Sequence, residues 1–130
     1  MTRNIAIALV LASACCGGCS RHLTPTTTLS SGKQVRITNI VPMHFSTGPA
    51  ALILSCETDT PISDKVTLRK EVDEIWTTVF HKECEGANVA HGVIRISHPE
   101  GVLIKHAEGY GFAFEKRADG QWHCLEDDKK

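Results

Sequence analysis

Thr60–Gly86, TPISDKVTLRKEVDEIWTTVFHKECEG, decides the fold, because it alone sustains a helical period. Leu68, Val72, Ile75, Trp76, Val79 and Phe80 recur at spacings of 4, 3, 1, 3 and 1, which draws one apolar stripe along a helix. Thr60 suits the N-cap, and Pro61 suits the first helical position, where its missing N–H costs nothing. Asp64 in the first turn complements the helix dipole. Arg69/Asp73 and Lys70/Glu74 are i,i+4 pairs on the solvent side, contributing about 0.3 kcal/mol each. The spacing predicts a helix over Thr60–Cys84, with Gly86 as its stop. Such a stripe has to be buried, and the flanking sequence supplies strands to bury it.

Upstream, Ala50–Glu57 is a dense apolar run with Leu52, Leu54 and Cys56 on one face and Ala51 and Ile53 on the other, as in a strand covered on both sides. Before it, residues 33–41 alternate through Val35 and Ile37, switch phase at Ile40-Val41, and stop or become an edge at Pro42. Ser46-Thr47-Gly48-Pro49 is a turn. Downstream, Val89–Ser97 reads as a strand, His98-Pro99-Glu100-Gly101 as a turn, and Val102–His106 as a short strand. Tyr110, Phe112 and Phe114 then point one way while Gly111, Ala113 and Glu115 point the other. A three-residue loop, Ala118-Asp119-Gly120 with glycine left-handed, sets Phe114 opposite Cys124, Glu115 opposite His123 and Lys116 opposite Trp122. Trp76 and Trp122 fall on core faces. The order β-β-α-β-(β)-β-β predicts an α+β domain over residues 33–126. Its mostly antiparallel sheet has five or six strands, with one amphipathic helix packed on one face, and residues 127–130 form a frayed tail.

Residues 1–20, MTRNIAIALVLASACCGGCS, read as an export signal: Arg3 precedes an uncharged run from Ile5 to Ala14, and small residues then meet a cysteine cluster. The run is too short to cross a hydrocarbon layer, which takes about 20 apolar residues. Leu11-Ala12-Ser13-Ala14-Cys15 resembles the lipobox of bacterial lipoproteins, in which the cysteine sulfur receives diacylglycerol before cleavage. The resemblance covers residues 1–15 only. It departs from the family pattern at Ala12, where leucine is favoured, and Cys19, preceded by Gly17 and Gly18, is the alternative lipidation site. Ala12-Ser13-Ala14 also fits an A-x-A secretory site, which would cut the same bond. The resemblance implies removal of residues 1–14, acyl chains on Cys15 and stable membrane attachment. Cys16 after Cys15, or Ser20 after Cys19, is not aspartate, which in Gram-negative lipoproteins implies the outer membrane, facing the periplasm. Residues 15–32, rich in Ser, Thr, Pro and Gly near their end, read as anchor site and flexible tether. Fully stretched they reach about 60 Å.

The 130 residues carry 14 Lys+Arg and 15 Asp+Glu, a near-neutral balance with no clustered basic face for nucleic acid. Cys56, Cys84 and Cys124 lie outside the signal, in an export context where disulfides persist. Cys84 at the helix end and Cys124 on the last strand are the favoured pair, with Cys56 packed as a thiol; closing that loop of about forty residues is worth about 3–4 kcal/mol. Cys16-Gly-Gly-Cys19 has metal-ligand and redox spacing but lies in the processed segment.

The remaining candidates have ordinary structural readings. His81 and Cys84 at i,i+3 make half a metal site. Glu71 and Glu74 at i,i+3 resemble an acid–base pair, yet on a face rich in Lys and Arg they read as a solvated charge row. Cys56 continues an apolar face rather than joining a histidine as a nucleophile. Glu108-Gly-Tyr-Gly111 lacks phosphate-loop spacing and reads as strand entry. No catalytic residue, metal or cofactor is therefore assigned. The expectation is a membrane-tethered, non-catalytic binding or accessory module whose partner is an envelope protein or polymer. A small envelope hydrolase is the alternative: a carboxylate–histidine pocket on the open sheet face would favour the enzyme, and a flat face would favour the module.

Overall fold

In a computed structural model, residues 26–48, 50–100 and 106–129 are described. The export signal, Cys15, Cys16, Cys19 and residues 102–105 of the expected short strand lie outside them. The sheet contains β1 (Thr26–Thr28), β2 (Gln34–Met43), β3 (Ala51–Glu57), β4 (His91–Glu100), β5 (His106–Lys116) and β6 (Trp122–Cys124). They pair in chain order, β1-β2-β3-β4-β5-β6. Every pairing is antiparallel except β3 with β4, which the helix connects as a parallel crossover. The protein is thus α+β, with a six-strand, mostly antiparallel curled sheet and one 23-residue helix.

That helix has three parts: α1 (Lys65–Ile75), a π turn (Trp76–Phe80) and α2 (His81–Ala87). The π turn inserts one residue into the helical period. Leu68, Val72 and Ile75 are fully buried, and the fully buried line then continues at Phe80 and Cys84, with Val79 partly buried against the core. Trp76 is thereby turned onto β5, where its ring stacks on Phe114 at 4.3 Å between centroids and 4° between planes. Leu54, Ile94, Ile96 and Phe112 complete the core beneath the helix. At Gly92 the helix comes closest: a Cβ there would lie 2.9 Å from Cys84 Sγ and from Phe80 Cε1. Glycine is required at that position.

The structure corrects five boundaries. The helix begins at Lys65 with Asp64 as N-cap, its carboxylate accepting from Thr67 N–H at 3.2 Å and Thr67 hydroxyl at 2.7 Å. Thr60 is not available to cap, because its hydroxyl donates to Glu71 Oε1 at 2.7 Å. Gly86 lies inside α2, and the stop is Asn88 in the left-handed conformation, φ 55°. The tether reading ends early: Thr26–Thr28 pairs with β2 and Leu29 is buried. The turn at 98–101 is overturned, since His98, Pro99 and Glu100 continue β4 opposite Glu108, Ala107 and His106. The expected frayed tail is held down, with Leu125–Lys129 forming a 3-10 turn. There Asp127 takes both arms of Arg69 at 2.9 and 3.1 Å, and Asp128 takes Arg117 at 2.7 Å.

The final hairpin matches its expected register at all three pairs, Phe114↔Cys124, Glu115↔His123 and Lys116↔Trp122. Gly120 takes φ +82°, the conformation the loop needs. The phase switch at Ile40-Val41 is a β-bulge: Ile37 faces Cys56, Asn39 faces Ser55, and Thr38 is the extra residue. Thr38 hydroxyl closes the bulge by donating to Ser55 carbonyl at 3.1 Å.

Candidate functional site: the open face of the sheet

The helix covers one face of the sheet, so exposed chemistry concentrates on the other. Register arranges that open face into rows across the strands. Val41, Ile53, Val93 and Ala113 stand opposite one another on β2–β5 and form an apolar row. The next row is polar: Asn39, Ser55, Arg95 and Gly111. A third holds Arg36, Glu57, Ser97 and Gly109, with Arg36 paired to Glu57. Successive rows are two residues apart along β3, β4 and β5, about 6.8 Å, and three apart on β2 where the bulge lies between Asn39 and Arg36.

A groove of about 660 Å³ lies over the polar rows, lined by Thr38, Asn39, Ser55, Arg95, Ser97, Gly109 and Gly111, among others. Arg95 is exposed and has no hydrogen-bond or ion-pair partner among the described residues. On β5, the open-face positions Gly109, Gly111 and Ala113 are bare or nearly so, leaving a trough along the strand beside Arg95 and Val93. Packing does not demand these glycines. A Cβ at Gly111 would meet only Val93 Cγ1 at 3.9 Å, and one at Gly109 only Ile96 carbonyl at 3.5 Å and Ser97 Cβ at 3.9 Å.

At the far end of the same face, His91, Glu115 and His123 stand in register on β4, β5 and β6. His123 Nε2 is buried without a hydrogen-bond partner. Among the described residues, however, no three His, Cys, Asp or Glu side chains gather closely enough to hold a metal ion.

The residues singled out from sequence are dispersed. Cys56, Cys84 and Cys124 are buried free thiols, so the expected Cys84–Cys124 bridge is not formed. Cys84, on the helix, sits against Gly92 of β4, while Gly92 pairs with Phe114 and Phe114 with Cys124, so Cys124 lies two strands across the sheet from the glycine beneath Cys84. Burial, and then the charge of Glu71, pushes the Cys56 thiol up to about 12. Such a thiol is not a nucleophile at neutral pH. Burial, with Glu85 and Glu83 behind it, pushes Cys84 to about 12 as well. Cys124 is raised too, mainly by burial.

Glu71 is not part of a solvated row. It is 3% exposed and accepts from Thr58 and Thr60 hydroxyls and from the Lys33 ammonium. Glu74 instead receives Ser30 hydroxyl and Ser31 N–H, both at 3.0 Å, which lower its pKa. The two glutamates fasten the β1–β2 turn to the helix. His81 and Cys84 also part company: His81 is half-exposed beside Glu85 at 3.5 Å, whereas Cys84 is buried. Trp122 is half-buried, its ring 5.0 Å from that of Trp76 and its Nε1 donating to Glu85 at 2.9 Å. That bond and Lys116 keep the Glu85 carboxyl below its ordinary range.

No protein-family model, curated protein or solved structure matches this chain. Sequence reasoning passed over Arg95 and read Gly109 and Gly111 as strand entry. The signal present was alternation itself: Gly109, Gly111 and Ala113 are small at three successive open-face positions, opposite Tyr110, Phe112 and Phe114 on the other face.

Proposed function

We propose that this chain is a membrane-tethered, non-catalytic binding module of the cell envelope that engages its partner through the open sheet face. The observation that carries the reading is the groove around Arg95. Among the described residues it offers a guanidinium without a partner, hydroxyls and a bare strand, which recognise a ligand, and no nucleophile–base pair, which would transform one. Attachment at Cys15, with Cys19 as the alternative, supports it from the sequence side, because confinement near a surface raises the effective concentration of a surface-bound partner. Among the described residues no helix is long and apolar enough to cross a membrane. Intact-mass analysis of the native protein should show a lipidated product beginning at Cys15, and Cys15→Ala should abolish acylation. Screening against peptidoglycan, ester and phosphoester substrates should give no turnover.

The hydrolase alternative draws on one observation, the in-register row of His91, Glu115 and His123. Turnover that disappears in Glu115→Gln or His123→Gln would establish it and defeat the module.

A further inference from the structure

The open face has a direction. Gly109, Gly111 and Ala113 are successive outward positions of β5, so the trough runs along the strand rather than across the sheet. Its wall on the β4 side changes chemistry once: Arg95 stands opposite Gly111 and Val93 opposite Ala113. A guest lying in the trough therefore meets a cation and, about 6.8 Å further on, an apolar side chain.

An extended peptide has that repeat. Its residues i and i+2 face the same way at the same spacing, so one side chain reaches Arg95 as the other reaches Val93. We infer that the β5 trough binds an extended segment of a partner protein carrying an acidic residue two positions from an apolar one, the carboxylate pairing with Arg95. Charge complementarity selects the acidic residue, since Arg95 has no carboxylate partner among the described residues while neighbouring Arg36 is neutralised by Glu57. A guanidinium takes a carboxylate bidentately, which fixes the register of the guest. The hydroxyls of Ser55 and Ser97 flank the same spot. Shape selects a peptide over a single acyl chain, because small apolar ligands need a pocket that encloses most of their surface, and this groove is open along its length.

This inference rests on the binding-module reading, and its test separates the two. The full chain is titrated with Ac-Val-Ser-Asp-Ser-Val-NH2 and with Ac-Val-Ser-Asn-Ser-Val-NH2, in which the central residue lies two positions from an apolar one in either direction, following backbone amide NMR shifts. The acidic peptide should shift Gly109, Gly111 and Ser97 saturably, and the amide peptide should bind at least tenfold more weakly. Arg95→Gln should lose at least tenfold in affinity. Gly111→Val, which fills the trough, should do the same with the rest of its spectrum unchanged. Equal binding of the two peptides, undiminished binding by Arg95→Gln, or saturation of the same amides by inorganic phosphate or dodecanoate in place of the peptide would overturn the inference. An envelope partner captured equally by the native protein and Arg95→Gln would overturn it too while preserving the module. Substrate turnover alongside tenfold weaker acidic-peptide binding by Arg95→Gln would defeat the module and uphold the trough as a peptide site.

Discussion

The two faces of one strand, β5, behave as different materials. Phe112 and Phe114 are 3% and 4% exposed, and Phe114 lies flat against Trp76. Gly111, the immediate neighbour of Phe112 in sequence, looks out on an uncovered groove. Glycine means opposite things on the two faces. At Gly92 on β4 it is a condition of packing, because any Cβ meets Cys84 and Phe80 at 2.9 Å. At Gly111 it is a vacancy that packing would let a side chain fill. Small residues on the covered face serve stability, and small residues on the open face keep a surface free.

The sharpest way to break this contrast is truncation. Phe114→Ala should lose about 3–5 kcal/mol in urea unfolding, the cost of emptying a packed aromatic site. A loss near zero would mean that the helix does not seal this face. Glu71→Ala should follow at about 3 kcal/mol, because it strands the Lys33 ammonium and two buried hydroxyls without their acceptor. Gly92→Ala should cost about 1–3 kcal/mol through overpacking, whereas Gly111→Ala should stay within about 0.5 kcal/mol. Equal costs at the two glycines would erase the distinction between the faces.

The thiols sharpen the same comparison by reactivity. Cys56 and Cys84, pushed from 9.0 to about 12, should resist Ellman's reagent in the native protein at pH 8 and react fully once it is unfolded. A thiol whose folded pKa is raised favours the folded state below its unfolded value. That contribution is intact up to pH 9 and fades as the pH climbs from 9 towards 12. Ready labelling at pH 8 would show the core open.

Local chemistry was legible in the sequence, and neighbours brought together from strands distant in the chain were not. The final hairpin could be placed to the residue because a left-handed Gly120 admits one loop and one register. The bulge was visible as a phase switch after Ile37. The helix start was misplaced because Thr60-Pro61 is a good cap by composition, while the Thr60 hydroxyl is committed to Glu71, eleven residues on. The same distant partner converts a glutamate that patterning assigns to solvent into a buried anchor. Pro99 suggested a turn, yet β4 runs through it to Glu100 opposite His106. The groove escaped notice because it is assembled from β2, β3, β4 and β5, and only their mutual register brings Asn39, Ser55, Arg95 and Gly111 into one row.

The parallel seam between β3 and β4 has a consequence for how this chain folds. On either side of it the strands are linked in sequence, β1-β2-β3 and β4-β5-β6, so each half is a meander whose contacts close short loops. The seam itself joins Leu54 to Ile94 and Cys56 to Ile96, across the whole length of the helix. Loop-closure entropy makes that union the slow, late event, and it can pay only when the helix has already turned its stripe inward. The halves can condense early and in either order. The rate of reaching the native state is then governed by one docking step, in which Gly92 slides beneath Phe80 and Cys84 and the two meanders become a single sheet.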